Sequence, residues 1–271
     1  MSLSEKLEIA NISDAGKRRP HNEDSTLSDA QLGLVVLADG MGGYKAGEVA
    51  SAIAVTAIHS SVKAGLKSPP DAGEDTLSAE SELIKQAIIH SNSEIYKAAL
   101  KDEQCQGMGT TIIAVLFHDN AVTIGHVGDS RVYRMRNNLF RQITRDHSLI
   151  QELIDRGVYT PEEAAENTPR NLVTRALGID RKVQVEVTEE AVLPGDIYLL
   201  CSDGLNDMVN DEEIHLTLSK YSANLAQAAE ELVRLANMKG GKDNISIILI
   251  RVQANFSASR GGLKNLISRF F

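Results

Sequence analysis

The chain is poor in cysteine, in aromatic residues and in long apolar runs. Among its 271 residues there is no tryptophan, aromatic residues make up 4%, and the two cysteines are Cys105 and Cys201. These cysteines form neither a closely spaced pair nor part of a ligand cluster, which favours a reducing compartment. No uninterrupted apolar stretch is long enough to span a bilayer, and residues 1–30 contain no apolar segment of the kind found in signal peptides. We therefore expect a cytoplasmic protein.

Positive charge is also scarce. The chain has 28 lysines and arginines against 37 aspartates and glutamates, which gives a net charge of −9 and a pI near 5.3. Because neutralising the phosphates of a nucleic acid requires surplus lysine and arginine, this balance argues against a nucleic-acid partner. The pattern GxxxxGK[ST] is absent as well, which disfavours a P-loop enzyme. With 42% hydrophobic residues the chain can build one large core, and a single domain is the simpler expectation.

The most informative stretch covers residues 34–43, LVVLADGMGG. A short apolar run bounded by turn residues is typical of a buried strand, so Asp39 is expected at a strand end that faces a cleft. Because glycine allows the backbone to approach a ligand closely, the carbonyl of Gly40 can join the Asp39 carboxylate as an oxygen ligand for a hard cation. Taken alone, an Asp-Gly pair is more often a simple turn.

The same arrangement recurs along the chain. Asp129, Asp203 and Asp243 each lie where an apolar run begins or ends, beside glycine or another small or polar residue, and Asp24 is a candidate fifth. Gathered at one rim of a sheet, such carboxylates repel one another strongly unless cations neutralise them. Oxygen ligands without a set of histidines or cysteines favour Mg²⁺ or Mn²⁺ over Zn²⁺. The pattern therefore predicts a metal centre built from acids that are distant in sequence.

A mixed-charge loop precedes this stretch. It runs over residues 16–24, GKRRPHNED, and places Arg19 shortly before Glu23 and Asp24. On a surface such charges would merely neutralise one another. Alternatively, the planar guanidinium of Arg19 binds a phosphate or carboxylate oxygen while Glu23 and Asp24 face the metal centre. The residues alone leave both interpretations open.

Apolar periodicity predicts the secondary structure. Helices are expected over residues 46–64, 79–100, 149–156 and 224–238. Strands are expected over residues 110–117, 121–127, 131–135, 139–143, 183–187, 197–201 and 245–250. The four strands between residues 110 and 143 are joined by turns too short for a parallel crossover, so they are predicted to form one antiparallel meander.

A long excursion follows the meander. Within it, Thr160-Pro161-Glu162-Glu163 has the pattern of a capping box that opens a short helix. A segment of about 30 residues between two sheet regions is longer than a compact domain needs, so it is interpreted as a flap over the cleft. An insertion without a functional role fits nearly as well. His147, at its start, is either a proton shuttle or a hydrogen-bonded structural residue, and the second interpretation is favoured.

Eight segments together resemble a known family, the metal-dependent Ser/Thr protein phosphatases (PPM, also called type 2C) in their bacterial single-domain form. They occur in the family's order and cover about residues 9–252, so the match is specific although each segment alone is weak. The segments are residues 16–24 (GKRRPHNED), 37–43 (LADGMGG), 107–111 (GMGTT), 127–133 (VGDSRVY), 144–148 (TRDHS), 172–178 (LVTRALG), 201–207 (CSDGLND) and 242–246 (KDNIS).

The resemblance implies an α+β fold, a four-layer α-β-β-α sandwich in which two mostly antiparallel sheets are flanked by helix pairs. It implies a catalytic domain over residues 1–255, with a flap at about residues 150–174 that tunes substrate choice. It also implies a centre of two ions, Mn²⁺ or Mg²⁺, to which bacterial members often add a weaker third ion.

The same resemblance assigns metal ligands. Asp39 would bridge the two ions, Asp203 and Asp243 would complete one of them, and the Gly40 carbonyl would serve the other. Asp129 would hold the third ion together with Asp203. This assignment agrees with the strand-end acids that the residues themselves single out.

Two further acids and an arginine complete the implied site. Glu23 and Asp24 would act largely through bound water. Arg19 would bind the substrate phosphate, so Arg19 and Asp39 are the expected catalytic residues. The implied reaction is in-line attack of a metal-activated hydroxide on phosphoserine or phosphothreonine, without a covalent phosphoenzyme.

Two positions depart from the family pattern. Animal members carry histidine directly after the Asp-Gly pair, where it is proposed as general acid, whereas this chain has Met41. Tyr44 stands where bacterial relatives often have histidine. The resemblance therefore assigns no residue to protonate the leaving oxygen.

The last stretch, residues 256–271, lies outside the resemblance. It has three basic residues and no acid, and its apolar residues fall at helical spacing, so a basic amphipathic tail is predicted. Such a tail would dock on a partner, dock on an anionic membrane surface, or stay with its own domain. A frayed or self-packed terminus is favoured.

These observations favour a protein Ser/Thr phosphatase that acts as a monomer on phosphorylated proteins, by kinship the targets of a bacterial Ser/Thr kinase. Two other classes remain to be distinguished. A pseudophosphatase would bind phosphoproteins without catalysis, although the intact Arg19, Asp39, Asp203 and Asp243 speak against it. A metal-dependent hydrolase of small phosphate esters or nucleotides is the third interpretation.

Overall fold

Two β-sheets form the centre of the protein. The computed structural model describes residues 3–42, 46–67, 78–160, 163–164, 167–168 and 172–257. The strands are β1 (Leu7–Asp14), β2 (Asp24–Asp29), β3 (Leu34–Met41), β4 (Gly109–Thr110), β5 (Ile112–His118), β6 (Ala121–Val127), β7 (Arg131–Arg136), β8 (Leu139–Gln142), β9 (Glu186–Ala191), β10 (Ile197–Cys201) and β11 (Ile245–Val252).

The strands pair antiparallel throughout the two sheets. One sheet has the order β1-β11-β10-β7-β8, and the other has the order β2-β3-β5-β6-β9, with β4 paired to β3 off this path. The first strand, β1, pairs with β11 over its whole length, from Leu7 opposite Val252 to Asp14 opposite Ile245. The beginning and the end of the described chain are therefore neighbours within one sheet.

Apolar side chains from both sheets meet in a buried layer between them. The six-stranded sheet contributes residues of β3 and β5, and the five-stranded sheet contributes residues of β10 and β11. Principal members of this layer are Val35, Leu37, Ile113, Val115, Tyr198, Leu200, Ile248 and Ile250. Removing this apolar surface from water is what holds the two sheets face to face.

Two pairs of helices cover the outer faces of the sheets. The helices are α1 (Ala46–Gly65), α2 (Ala79–Lys101), α3 (Leu149–Asp155), α4 (Asp203–Asn206), α5 (Asp211–Lys220) and α6 (Leu225–Met238). The pair α1 and α2 packs on the six-stranded sheet, with Ile58 and Ile88 in one cluster with Val36. The pair α5 and α6 packs on the other sheet, with Leu232 in one cluster with Leu199. This order of layers confirms the predicted four-layer α-β-β-α sandwich.

The predicted meander between residues 110 and 143 is wrong. β5 pairs with β6 and β7 pairs with β8, but β6 and β7 lie in different sheets. The chain crosses from one sheet to the other through Gly128, Asp129 and Ser130, and Gly128 adopts φ +111°. The short turn between β6 and β7 is compatible with a hairpin as well as with a crossing between sheets, and the pairing of β7 with β10 selects the crossing.

Element boundaries show smaller differences. The strand expected over residues 183–187 begins later, at Glu186, and continues to Ala191. The strands β1 and β2 and the helix α5 were not predicted at all. The predicted capping box is confirmed, because Thr160 Oγ1 accepts from the Glu163 amide at 3.2 Å and Glu163 Oε2 accepts from the Thr160 amide at 2.9 Å.

The predicted basic tail lies almost wholly outside the described residues, which end at Ser257. Its first residue, Phe256, is buried in the layer between the sheets, with its ring centroid 6.4 Å from that of Phe117. Across the described ranges, the structure contains no helix with the length and apolarity needed to cross a membrane.

Candidate active site

Asp39 lies on β3 directly opposite Asp24 on β2. The backbone of Asp39 is held by Thr111. The Asp39 amide donates to Thr111 Oγ1 at 3.1 Å, and the Thr111 amide donates to the Asp39 carbonyl at 2.8 Å. Thr110 Oγ1 donates to the same carbonyl at 2.8 Å. The two threonines of the GMGTT segment therefore set the position of the central acid.

Asp24 is buried and joins the two sheets. Its Oδ2 accepts a hydrogen bond from Ser202 Oγ at 2.9 Å, and Ser202 Oγ accepts from the Ser246 amide at 2.9 Å. Asp24 Oδ1 is buried without a hydrogen-bond partner among the described residues. Burial, above all, raises the pKa of Asp24 to about 6.

The other strand-end acids surround Asp39. Burial raises the pKa of Asp39 well above its ordinary value, and the charges of Asp24, Asp203, Asp129 and Asp243 raise it further. Burial likewise raises the pKa of Asp203, with further contributions from Asp129 and Asp243. The structure thus brings acids from residues 24 to 243 within electrostatic reach of one another.

Asp129, at the crossing between the sheets, is nearly buried. Burial raises its pKa to about 6, and the neighbouring charge of Asp146 acts in the same direction. A carboxyl group buried beside other acids is costly in its charged form unless a cation neutralises it. The set of carboxylate and backbone oxygens fits Mg²⁺ or Mn²⁺, and the partnerless Asp24 Oδ1 supplies an unused acceptor for such an ion or its water.

The strand-end acids of the described chain do not form one compact ligand group. Within the described chain, the groups of three ligand atoms that lie within 4.8 Å of one another are His126–His147–Glu186 and Glu80–His118–Asp119. The strand-end acids, which belong to neither group, therefore lie farther apart than the ligands of one closed ion site.

Arg19 lies beside this acidic centre. Its Nη2 donates to Asp243 Oδ2 at 2.7 Å, and about half of its side chain remains exposed. The hydrogen bond to Asp243 is the main cause that raises the pKa of Arg19. Burial raises the pKa of Glu23, which also lies within reach of the charges of Arg19 and Asp243. An exposed guanidinium at the edge of an acidic centre is well placed to bind a phosphoryl group.

The loop that carries Arg19 is held by Asn244. The side-chain Nδ2 of Asn244 donates to the carbonyls of Ala15 (3.0 Å) and His21 (2.9 Å), and its Oδ1 accepts from the Glu23 backbone amide at 2.8 Å. Asn244 is buried, and both Oδ1 and Nδ2 of its side chain form hydrogen bonds. It therefore fixes the loop of residues 16–24 against the start of β11.

Gly40 is required by close packing of three backbone segments. A Cβ atom at this position would lie 2.2 Å from the Gly47 carbonyl oxygen at the start of α1 and 2.5 Å from the Glu23 carbonyl oxygen. Gly40 also pairs with Thr110 of β4. Position 40 therefore requires a residue without a side chain, which allows the start of α1 to pack against β3.

A cleft of about 360 Å³ opens beside Asp129 and Asp203. Its wall includes Asp146 and Arg131, and Arg131 Nε and Nη2 donate to Asp146 Oδ2 at 2.9 and 2.7 Å. The charge of Asp146 is therefore balanced within the protein. The volume lies in the range of small-ligand sites, and the cleft leads directly to the acidic centre.

Sequence reasoning missed the residues that support the acids. Ser202, Thr111 and Asn244 occur inside the quoted segments but carried no predicted role. Their partners are distant in sequence, as with Asn244 and Glu23, which are 221 positions apart. The proximity of Asn244 to Asp243 was the one available signal.

The chain is similar to known protein phosphatases in both sequence and structure. The sequence profile described as Protein phosphatase 2C matches residues 17–239. The serine/threonine phosphatase stp of Listeria monocytogenes is 37% identical over 246 residues, which cover 88% of this chain and 92% of that protein. Among solved structures, the Mycobacterium tuberculosis serine/threonine phosphatase PstP/Ppp aligns with a TM-score of 0.81 at 38% identity, covering 92% of this chain and 99% of that one.

A second solved structure contains the catalytic domain of PstP in complex with two manganese ions. It aligns with a TM-score of 0.78 at 38% identity and covers 92% of this chain and 99% of that one. The profile match spans most of the chain, and the identities extend over nearly all of the described fold. The chain belongs to the protein phosphatase 2C family.

Proposed function

We infer that this chain is a metal-dependent protein serine/threonine phosphatase. The observation that carries this conclusion is the group of acids with raised pKa around Asp39, which lies next to the exposed guanidinium of Arg19. The two manganese ions of the similar PstP catalytic domain support Mn²⁺ or Mg²⁺ as the cofactor here. The substrates are phosphorylated proteins.

Each predicted residue has a role in the proposed site. Asp39, Asp203 and Asp243, with the carbonyl of Gly40, would hold two divalent cations. Asp129 would hold a weaker third ion with Asp203. These assignments are supported by the mutual electrostatic contact of the acids and by their oxygen-only chemistry.

The remaining residues organise the substrate side. Arg19 binds the phosphoryl oxygens through its exposed guanidinium, and Asn244 holds the loop that carries Arg19. Glu23 and Asp24 would contact the cations through water. When bound, the divalent cations acidify the attacking water and offset the negative charge that develops on the phosphoryl group.

Finer assignments also belong to this proposal. The catalytic unit is residues 1–255, with a flap at about residues 150–174 that tunes substrate choice. The enzyme acts as a cytoplasmic monomer that reverses a bacterial Ser/Thr kinase. Docking of residues 256–271 on a partner or membrane is not favoured, because so short a terminal segment is more often frayed or packed on its own domain.

Phosphate release in the presence of Mn²⁺ tests the proposal. Phosphothreonine and phosphoserine peptides are compared with nucleotides as substrates, for the natural chain, for Asp39→Asn and for the exposed control Asp180→Asn. We expect the natural chain to hydrolyse the peptides in an Mn²⁺-dependent reaction. Asp39→Asn should lower this activity at least about a hundredfold, whereas Asp180→Asn should retain it.

The other classes of protein predict different results. A pseudophosphatase releases no phosphate from any substrate, and a small-ester hydrolase prefers nucleotides over peptides. Full turnover by Asp39→Asn would remove the catalytic assignment.

A further inference from the structure

His147 lies between the base of the flap and the turn that carries Asp129. It is nearly buried, and its ring stacks on that of His126 with centroids 4.8 Å apart and planes inclined by 12°. The turn on the other side requires glycine at position 128, because φ is +111° there and a Cβ would lie 2.6 Å from the Thr111 side chain. Glycine allows this backbone conformation without fixing it, so hydrogen bonds to the Gly128 peptide help to hold the turn.

His147 satisfies both backbone groups of Gly128. The Gly128 amide donates to His147 Nδ1 at 3.0 Å, and the His147 amide donates to the Gly128 carbonyl at 3.0 Å. Because Nδ1 accepts, the neutral ring carries its proton on Nε2. That nitrogen lies 3.2 Å from Glu186 Oε1, so Glu186 fixes the tautomer that Gly128 requires.

The backbone of His147 also binds the flap. Its carbonyl accepts from the Thr174 amide at 2.8 Å, and the Leu149 amide donates to the Leu172 carbonyl at 2.9 Å. The start and the end of the flap are therefore hydrogen-bonded to each other beside His147. One residue connects the flap base to the turn that positions Asp129.

The cluster of His126, His147 and Glu186 does not form a second metal site. Arg175 Nη1 lies 3.3 Å from His147 Nε2 and 3.7 Å from Glu186 Oε1, which puts a guanidinium where a cation would bind. His126 Nε2 also lies 2.9 Å from the Arg145 carbonyl. Because Nε2 of His147 carries the ring proton, it donates to Glu186, and Arg175 is a neighbouring positive charge rather than a hydrogen-bond partner of that nitrogen. The acceptor of the ring, Nδ1, is already used by the Gly128 amide.

We propose that His147 is a positioning residue, whose Nδ1 orients the Gly128–Asp129 peptide and thereby sets the affinity of the weakest ion that Asp129 helps to hold. This inference rests on the proposed function and adds a residue to it. It favours the structural interpretation of His147 over a proton shuttle, since Nδ1 accepts from a backbone amide and Nε2 faces Glu186.

Two substitutions test the roles of the two ring nitrogens of His147 separately. Asparagine places an acceptor near the position of Nδ1, whereas glutamine places its amide near the position of Nε2. We expect His147→Asn to hold the weakest Mn²⁺ within about threefold of the natural affinity. We expect His147→Gln to weaken it about tenfold, the cost of one lost hydrogen bond that supports the turn.

The measurement is a Mn²⁺ titration followed by electron paramagnetic resonance, without substrate, on the full chain. The exposed control His90→Gln should bind as the natural chain does. Equal affinities for His147→Asn and His147→Gln, or only two Mn²⁺ ions bound by the natural chain, would overturn the proposal. Because binding is read without turnover, an absence of phosphatase activity would count against the proposed function alone.

A spectroscopic measurement covers the case in which His147→Gln fails to fold. In the natural chain, ¹⁵N NMR should show His147 Nδ1 without a proton and coupled through a hydrogen bond to the Gly128 amide. A protonated Nδ1 would contradict the proposal independently of any variant.

Discussion

Arg19 and Asp243 form an ion pair in which Nη2 donates to Oδ2 at 2.7 Å, although they lie 224 positions apart in the chain. The arginine is the residue proposed to bind phosphate, and the acid is a proposed metal ligand. A cation held by Asp243 would therefore compete with Arg19 for the same carboxylate. Metal binding would release the guanidinium toward the substrate.

Arg19→Ala should have opposite effects on the two ligands. The KM for a phosphothreonine peptide should rise about tenfold, because charge-assisted hydrogen bonds to the phosphoryl group are lost. Mn²⁺ affinity without substrate should increase up to about fivefold, since a half-exposed competing ion pair is removed. Steady-state kinetics and calorimetric Mn²⁺ titration measure the two effects, with the exposed neighbour Arg18→Ala as control. Weaker Mn²⁺ binding by Arg19→Ala would show that the two cations do not compete.

The stability of the metal-free protein should depend on pH through Asp129. The folded pKa of about 6 lies above the unfolded value near 3.8, so the folded state binds more protons between these values. The contribution of Asp129 to stability is therefore fully present below about pH 4 and is lost as the pH rises through 6. In the presence of a chelator, Asp129→Asn should gain stability relative to the natural chain as pH rises, by on the order of 2 kcal/mol. Urea unfolding from pH 4.5 to 8 measures this difference, and a difference independent of pH would contradict it.

Gly40→Ala should destabilise the fold and the site together. The added Cβ would meet the carbonyl oxygens of Gly47 and Glu23 at 2.2 and 2.5 Å, so backbone has to move. We expect a loss of at least about 3 kcal/mol in the free energy of unfolding. Gly107→Ala is the control, since φ is +76° there but no atom lies within 4 Å, and about 1 kcal/mol is expected. Equal losses for the two variants would show that packing at Gly40 is not tight.

Asn244→Asp should impair substrate binding more than metal binding. The substitution keeps the shape but removes the two hydrogen bonds donated to the Ala15 and His21 carbonyls. The loop that carries Arg19 loses its anchor, so kcat/KM for a phosphopeptide should fall at least about tenfold. The exposed Asn11→Asp is the matched control. An unchanged KM would mean that other contacts hold the loop.

The sequence predicted the acidic centre because its residues carry a local signal. An apolar run that ends in Asp-Gly or Gly-Asp identifies a buried strand and a turn at once, which places Asp39, Asp129 and Asp203 at strand ends. The helices α1, α2 and α6 were predicted to within a residue or two for the same reason, since their apolar periodicity is long. The assignment of ligands came from the family resemblance, and the roles of individual residues stay predictions.

What could not be predicted depends on contacts between distant residues. The crossing at Gly128 looks like a hairpin turn, because local spacing does not record which sheet receives β7. The strand β2 was missed because its residues Asp24, Ser25 and Ser28 are polar, and it forms only by pairing with the apolar β3. Ser202 and Thr111 resemble any buried hydroxyl until their partners are known.

The pairing of β1 with β11 has a consequence during translation. Asp243 and Asn244 directly precede β11, which lies between β1 and β10 in its sheet. A nascent polypeptide that has not reached residue 252 lacks the strand that joins the two, and a shorter one lacks the acid that pairs with Arg19. We therefore expect a polypeptide still being synthesised to be inactive until this segment has been added, because it has neither the central strand β11 nor the acid at position 243.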